Sequence, residues 1–182
     1  MAARKGDQKA FAQLVKRHER LVAAIVKGML GDSPEAEDVG QETFIRLFHS
    51  LRSFRGEARL GTYLTRIAIN LSLNERGRKK RRASVVSLNE GVIEPWLQSA
   101  GCVTELQYES AERCDIVRTA IGALKPKLRA VVVLRLMEGY STAETAHILK
   151  VPLGTVLSRL ARAQMQLKKS LLPYLQGVRH EQ

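Results

Sequence analysis

The sequence predicts an all-α protein made of two small helical domains joined by a flexible acidic linker. Apolar residues recur at helical spacings of three and four along most of the chain, and no useful stretch alternates with the period of two expected of a strand. Charge divides the chain into three parts. Residues 1–82 carry both signs and end in a basic run, residues 83–108 form the linker, and residues 109–182 are basic again.

The linker prediction depends on composition. Residues 83–112 contain no Lys or Arg and include Gly, Pro and several Ser, which is typical of a connection with little regular structure. The acidic residues of this stretch are Glu90, Glu94, Glu105, Glu109 and Glu112.

The overall charge favours a polyanionic partner. The 182 residues carry a formal net charge of +12, which suits nucleic acid first and an anionic membrane surface second. No signal peptide is visible, and the longest apolar runs, residues 21–26 and 130–134, are too short to cross a bilayer, so we expect a cytoplasmic protein without membrane insertion. Because Cys102 and Cys114 lack a CxxC spacing and the His residues are scattered, neither a disulfide framework, a metal site nor a cofactor is expected.

Three helices are predicted in the first domain. Asp7 caps the first, and Ser33 followed by Pro34 begins the second. A loop at residues 54–59 precedes a third helix from about residue 62 to residue 76. The expected inward-facing residues of the third helix are Tyr63, Leu64, Ile67, Ala68 and Leu71.

The third helix leads into a basic run, residues 76–82, in which six of the seven residues are Lys or Arg. In isolation a run of this kind is most often a solvated tail. Beside a second DNA-binding segment, a nucleic-acid contact is favoured instead.

Residues 141–162 read as a helix–turn–helix. Ser141 and Glu144 form a capping box, and Gly139 suits the end of the preceding helix. Pro152 interrupts the pattern, and a second helix is expected from about Leu153 until Pro173 ends it. The expected buried face of the first helix is Ala143, Ala146, Ile148 and Leu149, and that of the second is Val156, Leu160, Ala163 and Leu167.

Hydroxyl and basic side chains lie off the apolar stripe of the second helix. Such groups near a helix N-terminus suit phosphates and base edges in a DNA major groove. The alternative is an ordinary helical hairpin with a solvated basic face. The capping box, the short turn with its Pro, and the Gly-Thr-Val that precedes the basic residues together favour DNA binding.

Three strings occur in order along the chain: residues 36–44 (AEDVGQETF), residues 54–70 (FRGE, then TYLTRIAIN), and residues 124–139 (LKPKLRAVVVLRLMEG) running into 153–160 (LGTVLSRL). Together they resemble the extracytoplasmic-function (ECF) sigma factors of bacterial RNA polymerase, and the envelope-stress subgroup in particular. The resemblance covers roughly residues 6–82 and 109–172. Each string alone is moderately specific, whereas all three at this spacing are highly specific.

The resemblance implies a polymerase-docking helix at residues 36–44, which would bind the clamp coiled coil of core RNA polymerase, while the polymerase flap is a further expected contact. A carboxylate patch on an otherwise cationic protein suits a partner with basic residues. The implied polymerase-binding residues are Asp38, Gln41, Glu42 and Phe44.

The resemblance also implies two promoter contacts. The loop at residues 54–59 and the helix after it would melt the −10 region and hold an extruded base, recovering the unstacking energy through contacts to the single strand. The implied −10 residues are Phe54, Arg55, Tyr63, Asn70, Asn74, Arg76, Arg78, Lys79 and Lys80. The helix–turn–helix would read the −35 element through Thr155, Leu157, Ser158, Arg159, Ala161 and Arg162. The linker would thread the nucleic-acid channel of polymerase.

Some residues depart from the family pattern. Tyr63 replaces the usual Trp, and Leu157 and Ala161 stand where larger or basic residues are common. Direct readout of bases would then depend on Ser158 and Arg162, with DNA shape contributing more.

The sequence therefore predicts an alternative sigma factor that directs core polymerase to promoters and has no catalysis of its own. An anti-sigma factor is an expected partner and would hold the protein at the inner membrane face. A stand-alone helix–turn–helix regulator of duplex DNA is the alternative. A nucleic-acid enzyme has little support, because the chain lacks a His/Cys metal cluster, a Gly-rich phosphate loop and a paired-carboxylate motif.

Overall fold

The fold is all-α, as predicted. A computed structural model describes residue 4 and residues 7–54, 59–86 and 105–177, without the side chains of residues 80, 83–86, 105–112 and 175–177. No strand occurs in these ranges. The helices are α1 (Gln8–Leu30), α2 (Pro34–Ser50), α3 (Leu60–Val86), α4 (Glu105–Ala123), α5 (Pro126–Val132), α6 (Thr142–Leu149) and α7 (Leu153–Gly177). A 3-10 turn, Leu51–Ser53, follows α2, and a π-helical turn, Val133–Met137, follows α5.

The first two helices begin where the sequence predicts. The Asp7 carboxylate accepts hydrogen bonds from the backbone N–H groups of Lys9 and Ala10 at 2.9 and 3.1 Å. The Ser33 hydroxyl accepts one from the Ala36 N–H at 3.3 Å. These oxygens satisfy backbone donors that a helix N-terminus leaves without an internal partner.

The first three helices pack around a common apolar core. Its fully buried members include Ile25, Met29, Leu47, Leu64 and Ile69. The predicted inward face of α3 is confirmed, since Leu64, Ala68 and Leu71 are buried and Tyr63 and Ile67 partly so. Two buried hydroxyls are satisfied locally: Thr43 donates to the Val39 carbonyl at 2.7 Å and Ser72 to the Ala68 carbonyl at 2.8 Å.

Two predicted helix ends were wrong. The third helix does not stop near Arg76 but continues to Val86, so the basic run is helical. Helix α3 extends into the start of the predicted linker, and α4, which begins at Glu105, occupies its end. Residues 87–104 lie outside the described residues. The last helix contains Pro173 and ends at Gly177. Both Pro173 and Lys169 one turn before it are exposed, so water can bond the carbonyl that loses its helical donor.

The helix–turn–helix is confirmed in detail. Glu144 and Ser141 form the reciprocal capping box, with the Ser141 N–H donating to Glu144 Oε2 at 2.8 Å and the Glu144 N–H to Ser141 Oγ at 3.1 Å. Gly139 has a φ of 71°, in the left-handed region, as a helix end requires. One buried position was wrong: Ala143 is exposed, and Thr145 is buried instead. Ala143 and Thr145 lie on opposite sides of α6, and the side that carries Thr145 and Ile148 is the one that packs inward.

The C-terminal helices form a helical unit that packs against the first three. Its private core is small and consists of Leu124, Leu128, Val132 and Ala163, with Ile121 and Leu167 partly buried beside them. Four further buried residues, Ala130, Val133, Leu134 and Ile148, belong instead to the core shared with α1, α2 and α3. The two predicted domains are therefore in apolar contact.

Candidate nucleic-acid and protein interfaces

The outer face of α2 is accessible and acidic. Asp38 and Gln41 are exposed, and Glu42 is half-buried with its Oε1 atom 2.8 Å from Arg46 Nε. Phe44 differs from these three, because its ring packs against the core of the three-helix unit. The structure thus brings three of the four predicted polymerase-binding residues to one surface and directs Phe44 inward.

Two exposed apolar residues on this face were missed from the sequence. Ile45 is 50% exposed and Phe48 47% exposed, and the Phe48 ring makes an edge-on contact with Phe11 at a centroid distance of 5.0 Å. Their spacing from Asp38 places them on the same side of the helix, away from the buried stripe, and this periodicity could have identified them. A surface that combines carboxylates with half-exposed apolar residues is typical of a protein-binding site.

The exposed face of α3 carries the predicted −10 residues in register. Asn70, Asn74 and Arg78 are spaced by four residues and all three are exposed. Tyr63 precedes them on the same face, and its ring lies 5.1 Å from that of Phe54. Arg55 lies outside the described residues. Amide and guanidinium groups aligned along one helix face can bind base edges and phosphates together.

The basic run does not point in a single direction. Arg76 is half-buried and donates from Nη1 to the Met29 carbonyl at 3.4 Å, away from the Asn70 face. Arg78 is exposed and lies 3.4 Å from Glu75. Lys79 is exposed, and the side chain of Lys80 is not among those described.

The N-terminus of α2 lies near this run. The Glu35 carboxylate accepts hydrogen bonds from the Glu35 backbone N–H and from the Ser33 side chain, and both lower the pKa of Glu35. The positive charges of Lys79 and Arg82 lower this pKa further. These cations thus face the N-terminal domain as well as solvent.

One basic residue of the α3 face was missed. Arg66 lies one turn before Asn70 and donates from Nη2 to the His147 carbonyl of α6 at 3.0 Å. Arg81, which belongs to the predicted basic run, is exposed and lies on the same side as Asn70 and Asn74. The four-residue spacing from Asn70 could have located Arg66 in the sequence, but its contact with α6 could not be foreseen.

Helix α7 presents the predicted −35 residues on its outer surface. Leu157, Ser158, Ala161 and Arg162 are exposed. Thr155 and Arg159 are half-buried. The predicted apolar stripe packs inward as expected, with Val156 and Ala163 fully buried and Leu160 and Leu167 partly so. The helix contains no Asp or Glu over its whole length, so its exposed surface is uniformly neutral or positive.

The exposed surface of α7 has two sides of different chemistry. One side carries Ser158 and Arg162, and beside it runs an aliphatic row that comprises Leu153, Leu157, Ala161 and Met165. Leu153 is 49% exposed and Met165 71% exposed, and neither was expected from the sequence. In a major groove, aliphatic side chains contact the 5-methyl group of thymine, whereas hydroxyl and guanidinium groups bond base edges.

Two site classes find no support in the described part of the chain. No cluster of three or more His, Cys, Asp or Glu side chains is arranged there to hold a metal ion. Among the described helices, none combines the length and the hydropathy needed to cross a membrane.

Comparison with known proteins identifies the family. Residues 14–82 match the model of sigma-70 region 2, and residues 114–167 match that of sigma-70 region 4. The chain is 36% identical to the ECF RNA polymerase sigma-E factor of Salmonella typhimurium, over 94% of this chain and 91% of the relative. It is 34% identical to the ECF sigma factor SigW of Bacillus subtilis, over 92% of each chain.

A chain of the solved structure of CnrH in complex with the cytosolic domain of CnrY superposes with a TM-score of 0.64, at 25% identity and over 93% of this chain and 92% of that chain. The helices of this chain, its two family matches and its relatives thus indicate the same family along nearly the whole chain. A stand-alone regulator is therefore not favoured. The chain belongs to the ECF sigma factors, the subunits that direct core RNA polymerase to promoters.

Proposed function

We propose that three exposed faces of this sigma factor divide its work: the α2 face binds core polymerase, the α3 face binds the −10 region, and α7 reads the −35 element. The observation that carries this assignment is the sorting of charge. The α2 face presents Asp38 and Glu42, whereas α7 contains no acidic residue. A polyanion would be repelled by the first surface and attracted by the second.

The α2 face suits a protein with a basic surface, the clamp coiled coil in the first place. Ile45 and Phe48 extend the acidic patch with apolar area that water would leave on binding. Phe44 packs against the core and so supports the position of α2 without contacting the partner. The proposed contacts are therefore Asp38, Gln41 and Glu42, joined by Ile45 and Phe48.

The α3 face suits DNA that is opening. Asn70 and Asn74 offer donors and acceptors for base edges, and Arg66, Arg78 and Arg81 supply positive charge beside them. The rings of Phe54 and Tyr63 at the start of the face, tilted by 50° to each other, offer an aromatic surface for an unstacked base. Unstacking costs a few kcal/mol per step, and such contacts recover it.

The α7 face suits a duplex major groove. Ser158 and Arg162 would bond base edges or phosphates, and Leu157 and Ala161 would contact thymine methyl groups where the family usually places larger or basic residues. Thr155 and Arg159 are half-buried at the edge of this surface, which suits phosphate contacts more than base contacts.

The test of the whole assignment is run-off transcription with core polymerase and this chain on a library of promoter fragments. We expect transcripts that require both the chain and core polymerase. Absence of any product across the library, with a primary sigma factor active on its own promoter in parallel, would contradict the proposal. A chain that retains specific duplex binding but never recruits polymerase would favour the stand-alone regulator.

We further propose an anti-sigma partner, because CnrH is seen in complex with the cytosolic domain of CnrY. Such a partner would compete with polymerase for the α2 face and would set where in the cytoplasm the protein is held. Co-expression of a candidate inhibitor should lower run-off yield, and excess core polymerase should restore it. An inhibitor whose effect polymerase cannot relieve would contradict a shared face.

A further inference from the structure

The outer face of α1 carries a straight row of cations that lies outside the three surfaces assigned above. Lys9, Lys16, Arg20 and Lys27 follow one another at intervals of seven, four and seven residues, and all four are exposed. On a helix of about 3.6 residues per turn, these intervals return each side chain to nearly the same direction. This row, which we call the α1 ridge, is about 27 Å long at a rise of about 1.5 Å per residue.

The α1 ridge lies opposite the side of the helix that packs into the core. Ile25 is fully buried and lies about half a turn away from the ridge direction. The Phe11 ring contacts Phe48 of α2 at a centroid distance of 5.0 Å, and a β-carbon at Gly61 of α3 would lie 3.5 Å from Leu21. Because both neighbouring helices contact the inner side of α1, the ridge faces solvent and is separate from the α2 and α3 surfaces.

The fold itself makes little use of the ridge charges. Lys27 Nζ lies 2.9 Å from Asp32 Oδ1, but both side chains are about half exposed, and an exposed pair of this kind contributes little to stability. Within the described part of the chain, no carboxylate forms an ion pair with the other three ridge cations. Glu19 is the one acidic residue of α1 and lies to the side of the ridge. The ridge thus presents a nearly uncompensated positive charge to an external partner.

The side chains beside the ridge exclude several kinds of partner. Every side chain of α1 is described, and none of its large apolar residues is exposed. A helix that binds a membrane surface inserts apolar side chains, and a stable protein interface has an aromatic or aliphatic centre. Single-stranded nucleic acid is held by stacking on exposed aromatic rings. The chemistry of this face therefore favours a partner that is bound through its charges alone.

Duplex DNA has the charge density and the spacing that the ridge requires. It carries one phosphate per ~1.7 Å of its axis, and grooves about 12 and 6 Å wide separate its phosphate rows. The ridge cations are separated along α1 by about 10.5, 6 and 10.5 Å, so a helix that lies across the grooves brings each cation near a phosphate row. Ala12 and Ala23 beside the ridge are exposed, and their small side chains permit a close approach. Such contacts carry no sequence information.

We infer that the α1 ridge is a sequence-independent binding site for duplex DNA, which adds phosphate contacts to those proposed for α3 and α7. This site goes beyond the proposed assignment and does not depend on it, because the ridge would bind a duplex whether or not the chain recruits polymerase. It gives the protein an affinity for DNA outside the two promoter elements, and that affinity falls steeply with salt.

The test uses the full chain with the first three ridge cations replaced by Gln. All three are exposed, so circular dichroism should show unchanged helicity. The ridge variant is Lys9→Gln, Lys16→Gln and Arg20→Gln. The matched control removes three exposed cations of α4 and α5, outside every assigned surface: Arg118→Gln, Lys125→Gln and Lys127→Gln.

Fluorescence anisotropy with a labelled duplex of random sequence gives the salt dependence of binding. Each neutralised phosphate contributes about 0.9 to the slope of log K against log salt, so we expect the ridge variant to flatten the slope by about 2.7. At low salt its affinity should fall at least about tenfold, and the control should flatten the slope by less than about 1.

Because α7 also offers a duplex-binding surface, a second measurement locates the DNA directly. Benzoylphenylalanine in place of Ala23, between Arg20 and Lys27, should crosslink to the random duplex on illumination. The same group in place of Thr119, an exposed residue of α4, is the control and should not crosslink.

Three results would overturn the inference. The ridge variant and the control could flatten the slope equally, or the group at position 23 could fail to crosslink, or the ridge variant could bind the duplex normally and lose core polymerase in a pull-down. The last result would assign the ridge to an acidic protein surface. Failure of the proposed function is separate: a chain that supports no run-off transcription but shows the expected slopes and crosslink would lose its promoter roles and keep the ridge.

Discussion

The N-terminal and C-terminal units bury their apolar residues in different ways. The three-helix unit closes its own core with Ile25, Met29, Leu47, Leu64 and Ile69, contributed by all three helices. The C-terminal unit has a private core of four buried residues, and it places Ala130, Val133, Leu134 and Ile148 in the core of its neighbour.

This difference shows which unit depends on contact with the other. The three-helix unit would keep most of its core without this contact, whereas the C-terminal unit would expose apolar side chains that the contact now buries.

The largest effect concerns core truncations on the two sides. We expect both Leu64→Ala and Leu134→Ala to cost about 3 kcal/mol of unfolding free energy in urea, since each side chain is fully buried. When Gly28→Leu crowds Val133 at the contact between the two units, the cost of Leu134→Ala should shrink while that of Leu64→Ala persists. Equal costs in both backgrounds would mean that Leu134 belongs to a self-sufficient C-terminal core.

Charge reversal on α2 should remove polymerase binding. Asp38→Lys together with Glu42→Lys should weaken association with core polymerase by at least about tenfold, or ~1.4 kcal/mol, because the attraction to a basic surface becomes repulsion. Glu19→Lys on α1, also an exposed acid, is the matched control for net charge. Similar losses for the control in a pull-down titration would show that only overall charge matters.

Removal of one methyl group should test readout by α7. Replacing thymine by uracil at contacted −35 positions should weaken binding by about 1 kcal/mol, and Leu157→Ala should abolish the difference between the two bases. Fluorescence anisotropy with the −35 duplex measures both effects. Gln164→Ala, another exposed position of α7, should leave the thymine preference intact. An unchanged preference in Leu157→Ala would show that Leu157 does not contact thymine.

Helix caps offer a smaller comparison of the two units. Ser141→Ala should cost about 1 kcal/mol, because it removes one half of a capping box, and Ser33→Ala should cost somewhat less. Urea unfolding with Ser170→Ala on the exposed part of α7 as a reference measures both. A negligible cost at Ser141 would indicate that tertiary packing alone positions α6.

The smallest effect is a pH dependence at the helix N-termini. Hydrogen bonds at the caps lower the folded-state pKa of both Glu35 and Glu144, so each carboxylate stabilises the fold above its unfolded pKa near 4.5. That contribution is lost as the pH falls through the lowered folded pKa values. Titration of stability from pH 6 downward should therefore show a decline that Glu144→Gln makes shallower. A parallel decline in both proteins would remove Glu144 from the acid response.

Local features of this fold could be predicted from the sequence. The caps at Asp7, Ser33 and Ser141 and the left-handed Gly139 were predicted correctly, because each depends on bonds within a few residues. The predicted helix ends at residues 76 and 172 were wrong. Local helix propensity did not end α3 at residue 76, and a single Pro did not end α7 at residue 172, because both helices continue through these positions.

The interface residues divide in the same way. The faces of α2, α3 and α7 follow from helical periodicity, and Ile45, Phe48, Arg66 and Met165 could have been added by extending it. Phe44 could not be assigned, because whether an aromatic residue beside an exposed face turns inward depends on the space between α2 and its neighbours.

The helices, their caps, the helix–turn–helix and the family follow from the sequence alone, because these depend on neighbouring residues and on motif spacing. Tertiary packing, by contrast, places Arg129 at the end of α1 and Val133 against Gly28, and it gives the C-terminal unit a core shared with the N-terminal one. These contacts join residues about 100 positions apart. No local pattern encodes such a pairing, since it depends on the shapes of two assembled surfaces.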